Sequence, residues 1–305
     1  MKNIQSNLAY FKISQDNPEK TLDTAYMFTE ENSEIAKYIE NTKEIKRHLI
    51  TIKLLLEKKE NKKTIDRYFL SLANTLNKFS TCSEFSCFIN ACDNTLDLAK
   101  KDLVLLKKIA KKYFKNRLLT ENTPEEWIQA ILDSNSGRKK GSCAENKLIN
   151  ILLKQHFLKV NTWEDFNKNN KVVARFSSVF NLKNVRKTLN IKINTKKQNK
   201  GLDLLIKNNT RIFLLEAKHL NTSGGGQDKQ LSELIELISL TEKNKNISYI
   251  AFLDGNYSNV ILNNPFPKGK LKTQKIEIAK FLKKNPNNYW LNTQGFKALF
   301  SAQNT

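Results

Sequence analysis

Asp203, Glu216 and Lys218 are the residues of this chain whose types and spacing could do chemistry. In GLDLLIKNNTRIFLLEAKHL, from Gly201 to Leu220, Asp203 opens one short apolar run and Glu216-Ala217-Lys218 closes a second. Asn208-Asn209-Thr210 reads as a tight turn, so the two runs are expected to pair as antiparallel strands. The twelve residues between the acids are what a short hairpin covers, which brings both carboxylates to the ends of neighbouring strands. Lys218 lies two residues after Glu216 and on a strand shares its face. Asp203 and Glu216 offer hard oxygen ligands suited to Mg²⁺, and the Ala217 carbonyl could add another. A metal there would polarise a phosphoryl oxygen and lower the pKa of water, which hydrolysis of a phosphodiester requires. Lys218 could orient or deprotonate the attacking water, or stabilise charge building on phosphorus.

The elements that must position these residues follow from periodicity. Residues 1–30 are polar and mixed and read as a loose arm. From about 31 to 116 the pattern is helical, with apolar positions such as Ile35, Ile39, Ile45, Leu49 and Ile52 recurring at spacings of three, four and seven. Glycine is absent before Gly137, which suits a helical block joined by short polar turns. A boundary is expected near 121–123. There Thr123-Pro124-Glu125-Glu126 starts a helix with Thr123 as cap, and the helix WIQAILDS follows. SNSGRKKGS reads as a basic loop and AENKLINILLKQHFLK as a second helix. Residues 161–186 show no clear element, and LNIKIN at 189–194 reads as a strand. Beyond the hairpin come a helix from about Gln227, a buried strand ISYIAFL stopping at Asp254-Gly255, and the helix TQKIEIAKFLKK. A short strand with a Thr293 cap and a last helix complete the order. The fold class is α/β: an all-helical region over 1–120 and a mixed-sheet core with flanking helices over 121–305.

The chain has 305 residues, of which 52 are Lys or Arg and 30 Asp or Glu, a formal net charge of +22. A polyanion partner follows naturally from counterion release, although base composition alone could enrich lysine. No apolar run approaches the roughly twenty residues that span a bilayer. The first residues lack a signal peptide's apolar core, so a cytoplasmic location is expected. Cys82, Cys87, Cys92 and Cys143 lack close pairing or a neighbouring histidine, which argues against zinc and for small buried thiols. No GxxxxGK[ST] motif occurs, so no nucleotide cofactor is expected.

With these residues in place, GLD…LLEAK resembles the core of the PD-(D/E)XK nucleases, specifically type II restriction endonucleases. Asp203, Glu216 and Lys218 match the family's D, E and K, while Leu202 stands where the family has its proline. The resemblance implies a four-stranded mixed sheet flanked by helices, Mg²⁺-dependent cleavage of double-stranded DNA, and a homodimer on a palindromic site. Glu145, on the helix before the core strands, fits an additional metal-site acid of such enzymes, with a solvated helix charge as the alternative. The stretch with SGGGQDKQ, a helix and a strand ending Asp-Gly is also similar to restriction enzymes that cut at GATC. That likeness does not extend through the helical N-terminal part.

Further candidates for DNA contact are Arg138, Lys139 and Lys140 as a phosphate clamp, Gly225 for close backbone approach, and Gln227 and Gln230 for phosphate or adenine edges. A solvated basic loop, a helix cap and surface polarity are their ordinary readings. His219 should point to the strand face opposite Lys218 and read as structural. The helical block, rich in lysine and without a chemical constellation, is assigned to DNA embrace or dimer contact. The alternatives to a restriction enzyme are another nuclease of the same core, acting in repair, at junctions or on mobile elements, or a non-catalytic DNA-binding protein.

Overall fold

The structure is a computed structural model and describes residues 6–26, 32–135, 140–194 and 201–301. The chain forms two compact units: residues 28–138, and a core assembled from 1–27 together with 139–305. The first is therefore an insertion in the chain of the second.

The core opens with α1 (Asn7–Asp16) and a 3-10 turn at Thr24–Tyr26. The inserted unit is built from α2 (Asn32–Glu57), α3 (Lys62–Thr75), α4 (Glu84–Ala91), α5 (Leu96–Lys101), α6 (Leu103–Asn116) and α7 (Glu125–Asn135). The periodic apolar positions make its interior: Ile45, Leu49 and Ile52 of α2 bury against Phe69 and Leu72 of α3, Phe85 and Ile89 of α4, and Ile109 and Tyr113 of α6. Side chains of Asn61, Ser83 and Asp102 accept hydrogen bonds from the first-turn amides of α3, α4 and α6, which fixes where those helices begin.

The chain re-enters the core with α8 (Lys140–Leu153), β1 (Leu158–Lys159), α9 (Trp163–Lys168), β2 (Lys171–Arg175), α10 (Leu182–Leu189), β3 (Leu204–Asn208) and β4 (Arg211–His219). It continues through α11 (Gly225–Ser239), β5 (Ile247–Asp254), α12 (Asn256–Asn263), α13 (Gly269–Lys284), β6 (Tyr289–Leu291) and α14 (Thr293–Ser301). One mixed sheet runs β1-β2-β3-β4-β5-β6. The β2–β3 and β3–β4 pairs are antiparallel, the others parallel. Strands buried on both faces read as unbroken apolar runs, and every residue of β5 is buried. Phe213, Leu215 and Ala217 of β4 face the cluster that includes Ala144, Leu148 and Leu152 of α8 and Phe296 and Phe300 of α14. Leu214 faces the opposite layer, where α11 packs. The mixed α/β core with flanking helices and the helical N-terminal region are as the sequence predicts.

Several expectations need correction. Residues 6–26 are no loose arm. Asn7 Nδ2 donates to the carbonyls of Leu282, Asn285 and Asn288 at 2.8, 3.2 and 2.9 Å. Asn292 Nδ2 donates to Ser14 O and Asn17 O at 2.9 and 2.7 Å. A Cβ on Gly295 would lie 2.0 Å from Ser14 Oγ, so the bare glycine lets α14 close on α1. Amide hydrogen bonds rather than an apolar stripe hold this segment, and hydropathy does not register them. The expected division at 120/121 also moves. Residues 1–27 belong to the core, and α7 packs on α2 with Ile128 buried, which puts it in the inserted unit.

The sheet has six strands rather than four. LNIKIN is not one of them: α10 runs to Leu189, Asn190 and Ile193 take positive φ of 52° and 43°, and Glu242 accepts the amide hydrogens of Lys192 and Ile193. β2 lies instead in the stretch that showed no clear element. The helix after the basic loop ends at Leu153, His156 has φ 64°, and Leu158–Lys159 pairs with β2. That helix also starts inside the predicted loop, at Lys140. Thr123 Oγ1 caps no helix, and Thr293 is the first residue of α14 rather than its cap; Asn292 Oδ1 caps α14 by accepting from Gln294 N and Gly295 N. Cys82 is buried, Cys87 is exposed, and none of the four cysteines is in a disulfide. Among the described residues no helix is long and apolar enough to cross a membrane.

Charge is unevenly divided. Residues 28–138 carry 20 Lys and Arg against 16 Asp and Glu, a net of +4. The core unit holds the remaining +18 of the chain's +22.

Candidate active site

β3 and β4 are joined by a two-residue turn, Asn209-Thr210, with Asn209 at φ 56° and Asn208 paired to Arg211. This register pairs Leu204 with Leu215, so Asp203, one residue before β3, stands opposite Glu216. Its backbone is fixed on both sides: its N–H donates to Leu215 O at 2.9 Å, and its carbonyl accepts from Phe176 N at 3.1 Å. Asp203 Oδ2 accepts the Ala217 amide hydrogen at 2.7 Å. In an extended strand the N–H and C=O of one residue point to the same side. The Ala217 carbonyl therefore faces the same edge as Asp203.

Glu216 is 3% exposed. Lys218 shares its face, as the period of two requires, and Lys218 Nζ donates to Glu216 Oε1 at 2.5 Å. Two opposed carboxylates in a buried setting repel. Burial, then the Glu216 charge, pushes the Asp203 carboxyl up to about 7, against the pull of Lys218 and the Ala217 amide. Two buried carboxylates that face each other and offer only oxygen donors suit a hard divalent cation.

Glu145, on α8, joins the group electrostatically. Burial and the Glu216 charge raise its pKa, while Arg175 and Lys218 lower it. Arg175 Nε lies 3.3 Å from Glu145 Oε2, and Arg175 Nη2 donates to Asn146 Oδ1 at 2.5 Å. Arg175 is a site residue that sequence reasoning missed, because β2 went unrecognised; the β-branched pair in KVVAR was its available signal.

Of the proposed DNA contacts, Arg138 and Lys139 lie outside the described residues. Lys140 begins α8, and its side chain also lies outside what is described. Gly225, Gln227 and Gln230 lie at the start of α11, whose N-cap, Gly224, offers no side-chain hydrogen bond. Asp228 in the same turn pairs with Lys270 at 2.8 Å.

The tightest acidic group is elsewhere. Ligand atoms of Glu19, Asp23 and Asp254 lie within 4.8 Å of one another, close enough among the described residues to hold a metal. The Lys147 ammonium takes that role, with Nζ 2.6 Å from Asp23 Oδ2, 2.7 Å from Asp254 Oδ2 and 3.8 Å from Glu19 Oε2. His219, on the face of β4 opposite Lys218 as expected, has Nδ1 2.9 Å from Asp254 Oδ1. Sequence reasoning passed over Lys147, although a lysine three residues after buried Ala144 stands in the apolar stripe of α8.

No curated protein and no solved structure matches this chain. Residues 127–263, just under half of the chain, match the DpnII restriction endonuclease family. The matched span contains Glu145, Arg175, Asp203, Glu216 and Lys218, and the similarity supports a type II restriction endonuclease, a site-specific enzyme that binds and cuts DNA.

Proposed function

We propose that this protein hydrolyses phosphodiester bonds of double-stranded DNA at a short defined sequence, with Mg²⁺ as cofactor, and that it works as a homodimer. The observation that carries the reading is Asp203 opposite Glu216 across β3 and β4, with Lys218 on the Glu216 carboxylate. The similarity to the DpnII restriction endonuclease family and the +18 charge of the core unit support a DNA substrate. The homodimer rests on the resemblance to type II enzymes, in which two copies of the site address the two strands.

Asp203 and Glu216 would hold the cation, with the Ala217 carbonyl and Glu145 as further oxygen donors. When bound, Mg²⁺ supplies Lewis-acid polarisation of the scissile phosphate. Lys218 keeps a positive charge beside Glu216, where it can orient the attacking water and offset charge gathering on phosphorus. Arg175 restrains Glu145 so that the third acid does not swing away.

Digestion of a fully sequenced plasmid with Mg²⁺ or Mn²⁺ tests this. Discrete fragments sharing one end sequence are expected. A smear, or intact plasmid under both metals, refutes a site-specific endonuclease.

A further inference from the structure

The polar cluster behind β4 lies outside the hydrolytic group, yet it reaches α8, which carries Glu145, and β4, which carries Glu216 and Lys218. Lys147 follows Glu145 by two residues on α8, and His219 follows Lys218 on β4. Asp254, at the end of β5, is paired in register with His219 and is fully buried. Its two carboxylate oxygens are shared out: Oδ1 contacts His219 Nδ1 at 2.9 Å, and Oδ2 accepts from Lys147 Nζ and from the Tyr26 hydroxyl, both at 2.7 Å. The Tyr26 ring stacks on His219, centroids 3.7 Å apart and planes 23° from parallel.

The Lys147 side chain is only 8% exposed, and its ammonium lies 5.4 Å from the Tyr26 ring centre and 5.9 Å from that of Phe252. The centre of the cluster is an ammonium with carboxylate oxygens of Glu19, Asp23 and Asp254 within 4 Å of its nitrogen. A metal can leave such a position; a lysine on a helix cannot, so α8 stays tied to the ends of β4 and β5.

Tyr26 is the last described residue before residues 28–138, and α8 is the first element after them. Lys147 and Asp254 therefore hold together two segments of the core that are far apart in sequence.

We propose that Lys147 and Asp254, with Tyr26 and His219, are positioning residues for hydrolysis: they fix α8, which carries Glu145, against the strand that carries Glu216 and Lys218. The proposal rests on the nuclease reading above.

The test uses the full chain and three readouts: single-turnover cleavage of a duplex with Mg²⁺, duplex affinity in EDTA, and Mn²⁺ affinity of the metal-free protein by electron paramagnetic resonance. Lys147→Met should lower the cleavage rate about 10–100-fold and weaken Mn²⁺ binding by a similar factor, while duplex affinity changes less than about threefold, the scale of losing an outer partner of a metal ligand. Lys147→Arg should restore both to within about threefold, because it returns a cation with donors. Wild-type rate and Mn²⁺ affinity in folded Lys147→Met overturn the proposal, as does a loss that merely tracks the unfolded fraction. If the methionine variant does not fold, Tyr26→Phe decides. It removes one donor to Asp254 and keeps the ring, so a rate unchanged from wild type overturns the proposal and a fall of about three- to tenfold supports it. A wild type that cuts no DNA refutes the nuclease reading itself, and the Mn²⁺ affinities then decide the positioning role separately.

Discussion

Arg175 Nε lies 3.3 Å from Glu145 Oε2, so the third acid of the site is tied to a cation before any substrate arrives. Asp203 and Glu216, by contrast, stand opposite each other across the hairpin, with Lys218 on the Glu216 carboxylate. Glu145→Gln should reduce the single-turnover cleavage rate by about 10–100-fold, the range seen when supporting groups of a metal site are lost. Arg175→Ala should fall in the same range, and the double variant should lose little more than either alone, because the two residues act as a unit. Fully additive losses would show that they act independently.

Glu216→Ala and Lys218→Ala are expected to cost more. Each removes a group from the hydrolytic cluster itself, so cleavage should drop by at least about a thousandfold. Duplex affinity in EDTA should stay near wild type for Glu216→Ala and weaken slightly for Lys218→Ala through lost charge. Gel-shift and single-turnover assays on the same preparations separate the two effects. Near wild-type cutting by either variant means that the site has been assigned to the wrong residues.

Asp203 sets a pH dependence whose sign follows from its raised pKa. The folded carboxyl titrates near 7, against an ordinary value of 3.8. Its contribution to the stability of the metal-free protein is fully present below about 4 and is lost as pH rises through about 7. Thermal melts in EDTA should therefore show a decline in midpoint over this window that Asp203→Asn flattens. Added Mg²⁺ should raise the wild-type midpoint more at pH 8 than at pH 6, because the ionised pair is the form that binds cations. A decline of equal steepness in Asp203→Asn would assign it to other groups.

The charge division bears on the inserted unit. With a net of only +4 on residues 28–138, most phosphate neutralisation should come from the core. Replacing the insert by a short linker between the Thr24–Tyr26 turn and α8, which pack together, should change the slope of log affinity against log salt by no more than about one unit. A change of several units would show that the helices embrace DNA, as their lysine content suggested. Sedimentation of the same protein tests whether the insert holds a dimer together.

The hairpin and its three chemical residues were legible because everything that fixes them is local: the Asn209-Thr210 turn sets the register, and the register sets Asp203 against Glu216. The buried strand β5 and the helix α11 were legible for the same reason, as strong periodic runs. Arg175 and Lys147 were not, since each earns its place from a partner far along the chain. Arg175 meets Asn146 across 29 positions of sequence and Glu145 just beyond it, and Lys147 meets Asp254 across 107. The N-terminal segment failed for a different reason. Its anchors are amide side chains such as Asn7, which a hydropathy profile scores as surface while the fold buries them.

Those anchors also constrain how the protein is made. Asn7 bonds to carbonyls 275 to 281 residues away, and Asn292 closes the same seam from the other end. Contacts so distant along the chain form late and slowly. During synthesis the inserted helical unit, with its own apolar core, can fold first, while α1 waits for β6 and α14 to emerge. The scaffold behind β4 thus closes only once β6 and α14 have been made. Glu145, Asp203, Glu216 and Lys218 all precede those elements, so the candidate site has its residues before it has the frame that aligns them.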